Sequence, residues 1–473
     1  MTSRPTRPWV IPTQADPTAA AALPLLGGPV GRLAAVGRSW WTPIRVCIVA
    51  GLLVYALGWL SKGYCVTHGW GAPQRYMYLC YSDIPLLYES RGLADGIFPY
   101  LLHPGEGQEM LEYPVLTGVY MYLAAWVTRL FGGGGTMFFA VSVAGMSALF
   151  AWTIASTVRT VAHRPWDGLL VALAPVVALA AFVNWDMLAV ALTAAALAAW
   201  SARRPGLAGI WLGLGAAAKF YPVLLVGPVL VLCARRVQWR AFGRFLAGVV
   251  GAWLVVNVPV MLANFEGWAR FYTFSRERGM DFGSPWYALS LAHVPIRPES
   301  VNAMALVSFA LACAGIAVLT AFAAQPPRLA ALAFLVVGAF VLTNKVYSPQ
   351  YVLWVLPLAV LARPRWRDLL IWQLLEAAYF VGIWWYLVGY QTTDKGLHYG
   401  WYVAATAAHW FGTAWLMGMV VRDALRPARD PVRTDGFPED RDDPGGGVLD
   451  GAGWAPPVEP APALVELTAP VAS

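Results

Sequence analysis

The sequence predicts an all-α integral membrane protein: a polytopic bundle of about twelve transmembrane helices with two large extracytoplasmic loops and a surface helix. Three observations carry this. Of the 473 residues, 59% are hydrophobic and 12% charged, against about 25% charged in an ordinary soluble domain; mean hydropathy is +0.56. Apolar runs recur from Arg45 to about Val421, each near the length that crosses a hydrocarbon layer about 30 Å thick. They are rich in Ala, Leu and Val and lack the alternation of barrel strands, so the backbone must satisfy itself as helix. Finally, the net charge of +7 comes from short basic clusters between runs, the pattern of cytoplasmic loops rather than of a nucleic-acid-binding face.

The first span is expected at about 44–60, behind Arg32, Arg38 and Arg45. The Pro-, Arg- and Ala-rich residues before it, 1–43, read as a cytoplasmic tail rather than a cleavable leader. A polar, aromatic-rich loop follows, within an outer segment of about 61–135. Inside that segment the run at 114–131 can span the bilayer or lie on it. The flat reading puts Arg159, Arg164, Arg203 and Arg204 on the cytoplasmic side and Asp186 outside, as the positive-inside rule prefers. Its Tyr and Trp content also suits an interfacial helix.

Spans then follow at about 136–158, 166–183 and 187–202. The stretch from Pro205 to Ala234 is too long for one helix and short for two. Two short helices should meet at Lys219-Phe220-Tyr221-Pro222, because proline disfavours helix at and before itself. A span at 241–262 leads to the second outer loop, 263–302, and further spans at 303–324, 329–343, 351–362, 368–388 and 400–420 complete a membrane domain over 44–426. The Pro-, Gly- and Asp-rich tail, 427–473, lacks apolar residues to bury and reads as disordered and cytoplasmic. No internal repeat is evident.

Of five cysteines, Cys47, Cys233 and Cys313 fall in spans and read as small apolar packing. Cys65 and Cys80 share the first outer loop. An oxidising compartment would allow a disulfide there, worth roughly 3 kcal/mol; two free thiols are the alternative. No Cys/His spacing resembles a zinc site.

Ionisable groups at membrane depth are costly and usually functional. In this topology they gather on the outer face: Asp83 and Glu112 in the first loop, Asp186 at the start of a span, Lys219 at the helical hairpin, Arg276, Arg278 and Asp281 in the second loop, and Lys345 at the end of a span. Plainer roles stay open for each. Asp83 fits a solvated loop acid, Glu112 a turn, Asp186 a helix cap, Lys219 and Lys345 snorkelling cations, and Arg276 and Arg278 ordinary loop charges.

Several pieces together resemble a known group. YSDIPLLY with LEYPVLTG, then VNWDMLAVAL, GLGAAAKFYPVLL and TNKVYSPQYVLWVLP, spread over about 81–357, resemble the GT-C superfamily of polyprenyl-phosphate-sugar-dependent glycosyltransferases. The likeness is greatest to glycosyltransferase family 87, the actinobacterial mannosyltransferase-like branch. The resemblance implies a GT-C-like catalytic domain over 44–426 in a plasma membrane, working on its extracytoplasmic side. It implies a polyprenyl-phosphate-linked donor and a glycan or glycolipid acceptor, with Asp83 as the first-loop catalytic acid residue.

The chemistry expected is inverting transfer of mannose or arabinofuranose. An acceptor hydroxyl loses its proton to a carboxylate, assigned to Asp83. Cations stabilise the leaving phosphate, with Lys219, Lys345 and Arg276 as candidates. Glu112, Tyr113, Asp186, Tyr221, Tyr347 and Gln350 complete the expected substrate-binding set, and Trp185, Tyr113 and Trp286 offer faces for sugar rings. No cofactor is required; a divalent cation shared by Asp83, Glu112 and Asp186 is compatible. The rival class is a transporter or flippase of a lipid-linked or polar solute, which would place charges near the midplane of two related halves. A non-catalytic scaffold is a third reading.

Overall fold

A computed structural model describes Pro17 and residues 42–102, 108–434 and 447–449, and among these every regular element is helical. Helix α1 (Pro43–Ser61) begins at Thr42, whose hydroxyl accepts from the Arg45 amide, with Pro43 in the first turn. That is the cap chemistry expected where the first amides have no helical partner. After α1 comes the aromatic-rich first loop, in which a disulfide joins Cys65 to Cys80. It ends in the short helix α2 (Asp83–Ser90), capped by Ser82.

Helix α3 (Val115–Leu130) covers the run with two readings. Thr117 at its start donates to the Ala218 carbonyl at 2.6 Å, and Arg129 at its end donates to the Leu93 carbonyl at 2.8 Å. Its successor α4 (Gly135–Thr160) starts against Pro85 of α2. One end of α3 therefore meets the end of the helix that closes at Ala218, and the other meets the segment after α2.

The chain then shuttles between the two ends of the bundle. Short helices at Gly168–Ala172 and Pro175–Ala180 lead to α5 (Met187–Ser201), whose final Ser201 bonds the Thr160 carbonyl of α4. Helix α6 (Pro205–Ala218) stops where expected: Lys219 is extended, and a 3-10 turn over Tyr221–Leu225 precedes α7 (Val226–Arg235). Helix α8 (Trp239–Ala263) lies against α6 at backbone contact. A Cβ at Gly209 or Gly213 would collide with the Phe245 or Val249 carbonyl, so glycine is what lets these helices approach so closely.

Helix α9 (Phe265–Glu277) and a short helix at Pro285–Leu291 form the second loop. The remaining helices are α10 (Val301–Phe322), α11 (Leu329–Thr343), α12 (Val352–Ala362), α13 (Trp366–Val388) and α14 (Tyr399–Leu425).

Helices α1, α4, α8 and α13, and Pro298–Phe322 containing α10, are long and apolar enough to cross a membrane. They also expose large apolar side chains: Leu60 is 71% exposed, Val255 76%, Leu262 83% and Phe322 83%. Such a surface suits hydrocarbon and not water. Buried inside are α5, α11 and α12, whose residues are almost all enclosed.

The tail expected to be disordered from 427 departs from that at its start. Asp430 accepts from Arg328 at 2.6 and 3.0 Å, with both side chains buried, and Arg433 donates to Gln325 and to the Pro326 carbonyl. Residues 427–434 thus pack on the bundle, because a buried guanidinium needs their carboxylate. Most of 1–43 and 435–473 lies outside the described residues.

Candidate functional site

A polar cavity of about 560 Å³ opens where α2, the α6–α7 break, the second loop and the start of α12 meet. Asp83 is its central acid. Its amide donates to the Val183 carbonyl at 2.8 Å, which docks α2 on the segment leading to α5. Its carboxylate accepts the Tyr81 hydroxyl at 2.6 Å and the Tyr113 hydroxyl at 3.2 Å. Burial pushes the Asp83 carboxyl above its ordinary value and Glu112 adds to this, against the pull of those two hydroxyls and of Lys219. A carboxylate held by neutral donors, with raised basicity, is suited to accepting a proton.

Lys219 approaches from the helix break. Its Nζ pairs with Asp186 at 2.8 Å and lies 4.9 Å from the Tyr113 ring centre. Asp186 accepts in turn from the Trp354 indole at 2.9 Å, and its amide donates to Asn184 Oδ1 at 2.9 Å. Trp354 is stacked between Tyr221 at 4.7 Å and Tyr351 at 3.7 Å. Four segments distant in sequence thus fix one ammonium at the cavity wall.

Of the residues expected from sequence, Asp83, Glu112, Tyr113, Lys219, Tyr347 and Gln350 line the cavity. Asp186 and Tyr221 stand behind the lining, as supports of Lys219 and Trp354. Glu112 is held by Arg91 through bonds of 2.9 and 3.0 Å, so it is a tied carboxylate. Tyr347 donates to buried Glu376 at 2.7 Å and receives the Tyr379 hydroxyl on its carbonyl at 2.9 Å.

Arg276 and Lys345 are not in the lining. Lys345 Nζ donates to the Arg276 carbonyl at 3.2 Å and to Asn302, so these two tie the second loop together. Trp286 likewise donates to the Thr343 carbonyl at 3.0 Å, and Trp185 is buried edge-on to Tyr113. Arg278 faces the cavity instead, with its Nε 2.6 Å from Asp281. Tyr81 and Trp354 had no signal in the sequence beyond aromatic type. Arg278 could have been preferred to Arg276 from its spacing to Asp281, a local carboxylate partner that Arg276 lacks.

The divalent cation shared by Asp83, Glu112 and Asp186 does not match this arrangement. Among the described residues no three His, Cys, Asp or Glu side chains gather as a metal site. Each of the three carboxylates already accepts from other groups: Tyr81 and Tyr113, Arg91, or Lys219 and Trp354.

Membrane-length helices with a cavity lined by acids and cations at one end of the bundle define a membrane protein with an enclosed polar site. The family model of glycosyltransferase family 87 matches residues 111–343, just under half of the chain. That match supports a membrane glycosyltransferase, and the transporter reading is not favoured. The match takes in Glu112, Tyr113, Asp186, Lys219 and Tyr221, while Asp83 and Tyr347 fall outside it. No curated protein matches the chain.

Proposed function

We propose that the chain transfers a sugar, mannose or arabinofuranose, from a polyprenyl phosphate to a cell-envelope glycan or glycolipid, with inversion at the anomeric carbon. One observation carries this reading: the half-buried carboxylate of Asp83, bonded by two phenol hydroxyls and, among the described residues, by no cation, shares a cavity with Lys219 and Arg278.

Asp83 takes the proton of the acceptor hydroxyl as its oxygen attacks the anomeric carbon. The bond to the donor phosphate breaks on the opposite face, and the phosphate leaves as an anion. It needs charge stabilisation more than a proton, and a preorganised cation in a low-dielectric cavity is worth more there than in water. Lys219 and Arg278 fill this role, with Arg278 in the place assigned from sequence to Arg276 and Lys345. Tyr113, Tyr347 and Gln350 hold the sugar. Glu112, tied to Arg91, shapes the wall beside Asp83.

The reading includes a plasma membrane topology of about twelve passages, both termini cytoplasmic and the cavity outside. Residues 1–43 are then a cytoplasmic tail, 44–426 the GT-C-like catalytic domain and 427–473 a cytoplasmic tail. The Cys65–Cys80 disulfide supports it, since such bonds persist in oxidising surroundings.

The test uses purified protein in nanodiscs, radiolabelled polyprenyl-phosphate mannose or arabinofuranose, and envelope glycan extract as acceptor. Wild type is expected to give labelled product, and Asp83→Asn none, with elution and thermal unfolding unchanged. Substantial product from a folded Asp83→Asn protein would remove Asp83 as the base.

A further inference from the structure

Lys62 follows directly on α1 and is completely buried. Its Nζ donates to the Tyr81 carbonyl at 3.1 Å and the Leu79 carbonyl at 3.4 Å, and the Phe380 ring centre lies 5.8 Å away. No carboxylate pairs with it among the described residues. A buried amine without an acid partner is costly. Burial lowers the Lys62 ammonium to about 7.

Those carbonyls belong to the irregular stretch between Met77 and α2. Tyr81 is the residue whose hydroxyl reaches Asp83 at 2.6 Å, and its ring stacks on Trp384 at 4.5 Å. Lys62 therefore grips the backbone of the residue that grips the carboxylate. We infer that Lys62 is a positioning residue for sugar transfer: by anchoring Leu79 and Tyr81 it keeps the Tyr81 hydroxyl on Asp83 and so sets the direction in which the carboxylate meets the acceptor. This rests on the reading of Asp83 as the base.

The same nanodisc assay tests it. Lys62→Met should lower kcat on the order of tenfold to a hundredfold, since misdirecting a catalytic group by about an ångström costs that much. Donor KM should stay within about twofold, because donor binding is assigned to Tyr113, Lys219, Arg278, Tyr347 and Gln350. Tyr81→Phe removes the other end of the link. In a Tyr81→Phe background Lys62→Met should lower kcat by less than about twofold more, the non-additivity of groups acting through one another.

A folded Lys62→Met protein with wild-type kcat, or effects of the two changes that multiply independently, would overturn the inference. Should Lys62→Met fail to assemble, Lys62→Gln replaces it. Gln keeps a two-hydrogen donor one atom shorter, and its kcat should fall while donor KM holds. Wild-type kcat, or a change in donor KM alone, would overturn the inference. The two readings fail separately: active Asp83→Asn protein removes the base, whereas inactive Asp83→Asn beside fully active Lys62→Met removes only the role of Lys62.

Discussion

At the scale of single residues, the informative contrast is between two arginines two positions apart. Both are exposed, but the Arg276 carbonyl accepts from Lys345 and Asn302, whereas Arg278 lines the cavity with Asp281 beside it. Nothing in residue type separates them; the turn that ends α9 does. Arg278→Gln should lower transfer by about a hundredfold, the usual effect of removing one preorganised charge from a developing anion. Arg276→Gln should stay within about twofold, as a surface change away from the chemistry does. Parallel kcat/KM measurements on the two variants check this, and equal losses would return Arg276 to the site.

Among elements, the second loop owes its place to a few backbone bonds. The Asp281 amide donates to the Lys345 carbonyl at 2.9 Å, and the Tyr347 amide to the Phe282 carbonyl at 3.1 Å. The Gly283 amide donates to the Tyr402 hydroxyl at 2.7 Å. Gly283 has φ +75°, and a Cβ there would collide with the Tyr379 hydroxyl and the Tyr347 carbonyl. Only glycine fits both the conformation and the space. Gly283→Ala should lift the loop, withdraw Arg278 and lower transfer by about tenfold or more. Limited proteolysis should then cut near 278–284 faster than in wild type; unchanged proteolysis with full activity would show that the docking does not matter.

On the scale of the whole molecule, the end of the bundle opposite the cavity is closed by buried ion pairs. Arg363 meets Asp368 at 2.7 Å and Asp423 as well, and fully buried Arg328 meets Asp430. These link α11, α12, α13 and α14 with the residues that follow α14. Asp430→Ala would strand the Arg328 guanidinium, a loss of about 3 kcal/mol for breaking a buried pair from one side. Urea unfolding in detergent micelles should show the shift, while transfer at saturating donor stays near wild type because the cavity is at the other end.

Much of the helix pattern was legible from sequence. Continuous apolar runs must be helical in lipid, and Pro222 forces the break that puts Lys219 at a helix end; both follow from local chemistry that no packing can change. The candidate acid Asp83 and the cation Lys219 were legible for the same reason, since charge among apolar runs is conspicuous. Which acids stay free was not. Glu112 and Asp186 are carboxylates by type, yet Arg91, Lys219 and Trp354 hold them through contacts across 21, 33 and 168 positions of chain. The grip of Lys62 on Tyr81 and the capture of residues 427–434 by Arg328 were likewise settled only by folding. Hydropathy and helix breaking are properties of neighbouring residues, whereas hydrogen-bond pairing at a buried site depends on which distant segments the bundle brings within about 3 Å.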